Sequence, residues 1–252
     1  MAPVFVLTVF IAVLCSVQGR STWKASFERS EDDMEIDSTR TNSIEEDEFS
    51  ASTLIEKANK NLGQRLDEPL VMFGDIAVDT GFMNADPCTA RGCKWQKSSD
   101  GNVYVPFVIS NQYSARESCF SFIGRRGNGQ VVSLSRNGCV FLSVVQHELL
   151  HALGFNHEQT RSDRDSNVQI LTQNIIPGME FNFRKIDTIN LGTPYDYNSV
   201  MHYSRFAFSR NTQPTILPIP DNNAVIGRAT QMSPIDILRI NRLYNCTGQP
   251  LE

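Results

Sequence analysis

Apolar and polar positions divide this 252-residue chain into stretches of different character. Residues 1–19, MAPVFVLTVFIAVLCSVQG, are an apolar run without a charged side chain that closes on the small-residue pattern Val17-x-Gly19. The run is too short to anchor a chain in a bilayer and reads as a secretory signal peptide. Residues 20–50 are acidic and poor in large apolar side chains, a composition that does not bury a core. STLIEKANKNLG predicts a helix with a start signal at Ser52 and a stop at Gly63. NVYVPFVIS alternates apolar and polar positions as a half-buried strand does, and QVVSLS does so more weakly. A helix is predicted from around Phe141. Ser233-Pro234-Ile235-Asp236 supplies an N-cap serine, a proline at N1 and an acid at N3 for a last helix through IDILRINRLY. Its apolar positions 235, 237/238, 240 and 243/244 fall roughly on one face, which should pack on the body near Cys246.

The helix from Phe141 carries candidate chemistry. It contains His147-Glu148-x-x-His151-x-x-Gly154-x-x-His157. Residues four apart share a helix face, so His147 and His151 can aim two imidazoles at one metal ion. Glu148 lies beside the first ligand, placed to act as a base on water at the metal. Gly154 lets the chain turn sharply out of the helix, bringing His157 round as a third ligand. Three histidines leave a coordination position open, which points to a catalytic zinc site and away from a closed structural one. The chain has only four histidines, and the fourth is His202.

Charge and cysteines refine the division. Residues 20–83 hold 7 basic and 15 acidic side chains, a net of −8, while residues 84–252 hold 16 and 13, a net of +3. The second balance is too slight for nucleic acid. No later segment approaches 18 consecutive apolar residues, so no membrane anchor is expected. The expected organisation is a signal peptide at 1–19, a pro-segment at 20–83 and a zinc peptidase domain at 84–252. Of six cysteines, Cys15 leaves with the signal peptide and five remain. Cys88 and Cys93 are close enough for a local loop. Cys119 and Cys139 flank a Gly-rich segment that a disulfide would close. Cys246 is then left unpaired.

Ser199-Val200-Met201-His202-Tyr203 lies some forty positions after His157. With the histidine motif it resembles the methionine turn of metzincins. The form SVMHY, together with Glu158 directly after the third histidine, resembles the astacin family of zinc metalloendopeptidases. The likeness extends over most of residues 52–247. NADPCTARGCKW and GRRGNGQVVSLSRNGC look like the six-cysteine, fish hatching-enzyme or nephrosin-like branch.

This resemblance implies an α+β, zincin-like catalytic domain of two subdomains, with a twisted sheet, a zinc-binding helix and a methionine turn. It implies one Zn²⁺ per chain on His147, His151 and His157. Glu148 would shuttle the proton, and Tyr203 would bind zinc at rest and then the oxyanion. Met201 would be structural, and Glu158 would meet the new N-terminus, near Asn84, after activation. Gly74-Asp75 resembles the family's latency motif, in which the Asp carboxylate takes the place of water on zinc. Partners would be protein or peptide substrates, egg-envelope proteins among the candidates, and a protease that removes the pro-segment. The product would be secreted, with storage in secretory granules as one route. Asn245 carries a glycosylation sequon. One departure stands out: after Glu117 the family pattern continues with a helix and two strands, one bearing the partner of Cys246, whereas this chain runs directly into Ser118-Cys119. The N-terminal subdomain is thus expected to be truncated. The alternative function is a catalytically impaired isoform that acts as a non-enzymatic binder or is degraded.

Overall fold

The structure, a computed structural model, describes residues 10–13, 49–60, 62, 69–78, 92–109, 118–127 and 129–246. The signal-peptide boundary, the acidic segment up to residue 48, Gly63, Asn84, Cys88 and Glu117 lie outside them.

Strand β1 is Phe10–Val13, helix α1 is Ala51–Ala58, and strands β2 and β3 are Leu70–Met72 and Ile76–Val78. Strand β4 is Val103–Pro106, β5 is Phe120–Phe122 and β6 is Val132–Ser133. Helix α2 is Leu142–Leu153, followed by short 3₁₀ turns and strand β7, Val168–Ile170. Strand β8 is Ile216–Pro218, and helix α3 is Pro234–Leu243. Helices and mixed sheets together make an α+β fold, as expected. No helix among the described residues is long and apolar enough to cross a membrane.

The main sheet has the order β2-β3-β5-β6. Its β3–β5 pair is parallel, with Ile76 opposite Ser121, and the other pairs are antiparallel. Two strands of the segment read as a pro-segment are therefore built into the sheet that borders the catalytic helix. Strand β4 does not join this sheet. It pairs with β1, Phe10 facing Pro106 and Val13 facing Val103. Strands β7 and β8 form a separate ribbon.

Helix α1 begins two residues before its expected start. The Ser50 hydroxyl caps it by accepting from the Thr53 amide, and Ser52 lies inside the first turn. Ala51, Leu54 and Ile55 turn one face into the core with Val144, Leu150 and Leu153 of α2 and with Ile240 and Tyr244. Helix α3 has the predicted start, a complete capping box between Ser233 and Asp236 with Pro234 inside it. The expected face is the one that meets the core: Ile240 and Tyr244 are buried there, and Ile237, Leu243 and Cys246 pack against them. Asp236 and Arg239 are buried as well, and Ile235 is only partly covered. Apolar periodicity placed this face but left out two charged side chains that have partners inside.

Cys119 and Cys139 are disulfide-bonded across a separation of 20 residues. Closing a loop of that length stabilises by roughly 3 kcal/mol in the chain-entropy model. Cys246 corrects an expectation: it is disulfide-bonded, as is Cys93. The partners of both lie outside the described residues. An unpaired Cys246 followed from removing Cys15, which left an odd number; the full chain has six cysteines, an even number.

Candidate active site

The catalytic helix ends in a fully bonded last turn. A helix leaves its final carbonyls without intrahelical donors, and here each finds one. The Phe155 amide donates to Leu150, and the Gly154 and Gly124 amides both donate to His151. The Trp95 indole donates to Ala152 at 2.8 Å, and the Tyr244 hydroxyl to Leu153 at 2.9 Å. Gly154 supplies the left-handed turn at φ 107° that sends the chain back toward the cleft. His157 then arrives beside His147 and His151.

The three imidazoles and the Asp75 carboxylate converge on one point, all buried. Nε2 of His147 lies 3.1 Å from that of His151 and 3.2 Å from that of His157. Asp75 Oδ2 is 3.0 Å from His147 Nε2, and Oδ1 is 3.1 Å from His157 Nε2 and 3.4 Å from His151 Nε2. The tautomers follow from the other ring nitrogens. His147 Nδ1 donates to the Val200 carbonyl at 2.8 Å, and His151 Nδ1 to the Phe155 carbonyl at 2.7 Å. Both Nε2 atoms therefore present bare lone pairs to each other and to a carboxylate. Only a cation at the centre makes that arrangement favourable. Four ligands about 2.0–2.1 Å from zinc at tetrahedral angles stand about 3.3–3.4 Å apart, close to the spacing found here. The residues fit one zinc ion.

Electrostatics agree. Burial works to raise the Asp75 carboxyl, but His157, His151 and His147 outweigh it and hold it well below the usual range. Burial, aided by the charge of Asp75, pushes Glu148 well above the usual range. Burial takes His157 down to about 4 and lowers His151 as well. Neither Glu148 oxygen has a hydrogen-bond partner, although the residue is fully buried. Among the described residues its oxygens are uncommitted.

The segment 199–203 is buried and meets His147 through the Val200 carbonyl. Met201 is buried in the main core, and its carbonyl accepts from the Glu158 amide at 3.0 Å. Asp236 of α3 accepts from the Ser199 hydroxyl at 2.6 Å and from the Val200 amide at 3.0 Å. One carboxylate thus caps α3 and holds the amide of Val200, the residue whose carbonyl orients His147. Glu158 is saturated: Arg239 donates at 2.6 and 2.9 Å, Arg161 at 3.3 Å and the Asp196 amide at 2.7 Å. The Tyr203 hydroxyl donates to the Phe73 carbonyl, next to Gly74 and Asp75. Its ring packs on His157 with centroids 4.7 Å apart.

The chain matches the family model Astacin (Peptidase family M12A) over residues 91–245. It is 43% identical over 238 residues to High choriolytic enzyme 2 of Oryzias latipes, covering 80% of this chain and 83% of that protein. The chain belongs to the astacin family. Low choriolytic enzyme of the same fish is 42% identical over 241 residues, covering 81% of this chain and 87% of that protein. The solved structure of High choriolytic enzyme 1, a hatching-enzyme zinc protease from medaka, superposes with a TM-score of 0.60 at 44% identity. That match covers 62% of this chain and 96% of the other. These likenesses place the chain in the fish hatching-enzyme branch of astacin zinc peptidases. They also carry a gap. Eighty per cent of 252 residues is about 202, so about 36 of the 238 positions aligned with High choriolytic enzyme 2 have no residue here.

Of the residues singled out from sequence, His147, His151, His157 and Asp75 converge, with Tyr203 beside them. The proposed meeting of Glu158 with a new N-terminus at Asn84 falls outside the described residues. Sequence reasoning missed Asn59, Trp95, Arg239 and the second task of Asp236. The capping pattern marked Asp236, but nothing local signals that its carboxylate also reaches the methionine turn.

Proposed function

We propose that this chain is the zymogen of a secreted zinc metalloendopeptidase that cleaves protein substrates, with egg-envelope proteins the class suggested by its choriolytic relatives. The reading takes residues 1–19 as signal peptide, 20–83 as pro-segment and 84–252 as catalytic domain. Another protease would remove the pro-segment. The observation that carries it is the Asp75 carboxylate seated among His147, His151 and His157 at 3.0–3.4 Å. A carboxylate there occupies the position that water needs.

Zinc held by these imidazoles would supply Lewis acidity toward a peptide carbonyl and toward water. The protein's own groups do the rest. Val200 and Phe155 fix the ligand tautomers. Glu148 takes a proton from water and returns it to the departing amine, a task suited to a carboxyl raised by burial. Once the Phe73 carbonyl leaves with the pro-segment, the Tyr203 hydroxyl is free to donate to the developing oxyanion.

The test compares uncut and processed protein on a quenched peptide, with Asp75→Ala and Glu148→Gln. Asp75→Ala should raise activity only before processing. Glu148→Gln should keep zinc and lose roughly 10²–10⁴-fold in rate. Near-parental activity of Glu148→Gln would refute its role. A second reading, an impaired isoform acting as a binder, is favoured by one observation: β4 stands apart from the main sheet. Under that reading both forms stay inactive although zinc is bound.

A further inference from the structure

Asn59 lies outside both motifs, as the C-cap of α1. Its carboxamide bonds two segments remote in sequence. Nδ2 donates to the Gly74 carbonyl at 2.9 Å and to the Cys119 carbonyl at 2.6 Å, and Oδ1 accepts from the Cys119 amide at 2.8 Å. The side chain therefore addresses Cys119 as a neighbouring strand would, donating to its carbonyl and accepting from its amide.

The platform beneath Asn59 is firm. Its amide donates to the Ile55 carbonyl at 2.8 Å, and its carbonyl accepts from Leu62 at 2.9 Å. Helix α1 is docked on the loop after Tyr203: the Ser52 hydroxyl accepts from the Ser204 amide at 2.9 Å, and Glu56 from the Phe208 amide at 3.0 Å. Cys119 is tied down by its disulfide to Cys139.

What the clamp holds is the turn that presents Asp75. Phe73 and Gly74 have φ of 52° and 84°, a left-handed pair that a phenylalanine adopts only at a cost. A side chain at Gly74 would meet the Tyr203 hydroxyl at 3.1 Å and Phe208 at 3.3 Å. The tip is therefore both strained and closely fitted. Two bonds fix the peptides around Asp75: Asn59 to the Gly74 carbonyl, and the Ser121 amide to the Asp75 carbonyl at 3.0 Å.

We propose that Asn59 is the positioning residue of latency: its carboxamide sets the Gly74–Asp75 peptide so that the Asp75 carboxylate stays between the three imidazoles. This inference rests on the latency reading given above. Helix α1 then does more than pack on α2. It delivers a clamp to the inhibitory turn, and losing the clamp should loosen the turn while the catalytic helix stays intact.

Two substitutions in the full, uncut chain test this. Asn59→Asp is isosteric and keeps the acceptor for Cys119 but turns an oxygen toward two carbonyls. Asn59→Ser removes the reach without adding charge. The first readout is amide exchange at Ser121, followed with zinc and after chelation. The second is basal cleavage of a quenched peptide, with Asp75→Ala as the reference for full release. Both variants should exchange roughly tenfold faster at Ser121, with α2 unchanged, because the turn opens locally. Basal cleavage should rise toward the Asp75→Ala level. Unchanged Ser121 exchange in both variants overturns the inference, even where Asp75→Ala releases activity. Faster exchange throughout α2 also overturns it, since the role would then be general stability. If the turn opens but Asp75→Ala releases nothing, the clamp is supported and the latency reading alone fails.

Discussion

His202 offers a sharp test of how burial governs this site. Its Nδ1 donates to the Tyr203 carbonyl at 2.7 Å, and its Nε2 accepts from the Tyr195 hydroxyl at 2.8 Å. Both nitrogens are committed in the neutral form, so a second proton would break the bond to Tyr195. Burial takes the imidazole from 6.5 down to about 4. The unfolded chain therefore binds a proton between these values that the folded chain refuses, and stability is lost as pH falls from 6.5 through about 4. At 1.36 kcal/mol per pKa unit the loss is roughly 2 kcal/mol by pH 5 and roughly 3 kcal/mol by pH 4. His202→Asn keeps a donor for Tyr203 and removes the titration. Urea unfolding of both proteins, chelated so that the zinc ligands titrate alike, should show the parent losing roughly 1 M more in midpoint between pH 7 and pH 5. Parallel midpoints across that range would mean that the ring accepts a proton without cost, and the argument from burial would fail.

Other outcomes follow from single contacts. Gly227→Ala would place a methyl 2.4 Å from the Ser204 backbone and the Tyr203 carbonyl at φ 68°, whereas at Gly101, with φ 82°, the methyl meets nothing. Urea midpoints should report roughly 3 kcal/mol or more lost at Gly227 and about 1 kcal/mol at Gly101, and equal losses would contradict the geometry. Arg239→Met strips Glu158 of its bonds at 2.6 and 2.9 Å. Breaking a buried pair should cost roughly 3–5 kcal/mol, with part regained on adding Glu158→Gln; a loss under about 1 kcal/mol would mean that Arg161 and Asp196 suffice. In the full, unreduced chain Cys246 should resist thiol reagents, and labelling there would count against its disulfide.

The sequence alone determined the chemistry where spacing is rigid. Helical period puts His147 and His151 on one face, and a glycine that tolerates φ 107° brings His157 to them. The start of α3 was legible for the same reason, because Ser233, Pro234 and Asp236 satisfy donors of their own first turn. Local rules did not reach further. Ser52 looked like a cap, but the structure gives that task to Ser50 and spends Ser52 on Ser204, 152 residues away. Arg239 and Asp236 read as the polar side of α3, yet Glu158 and the methionine turn draw them inward. The carboxylate brought to the histidines, the Asn59 clamp and the bonded state of Cys246 depend on segments that meet only on folding. Their partners are fixed by burial and by hydrogen bonds across long stretches of chain, which a pattern of neighbouring residues does not contain.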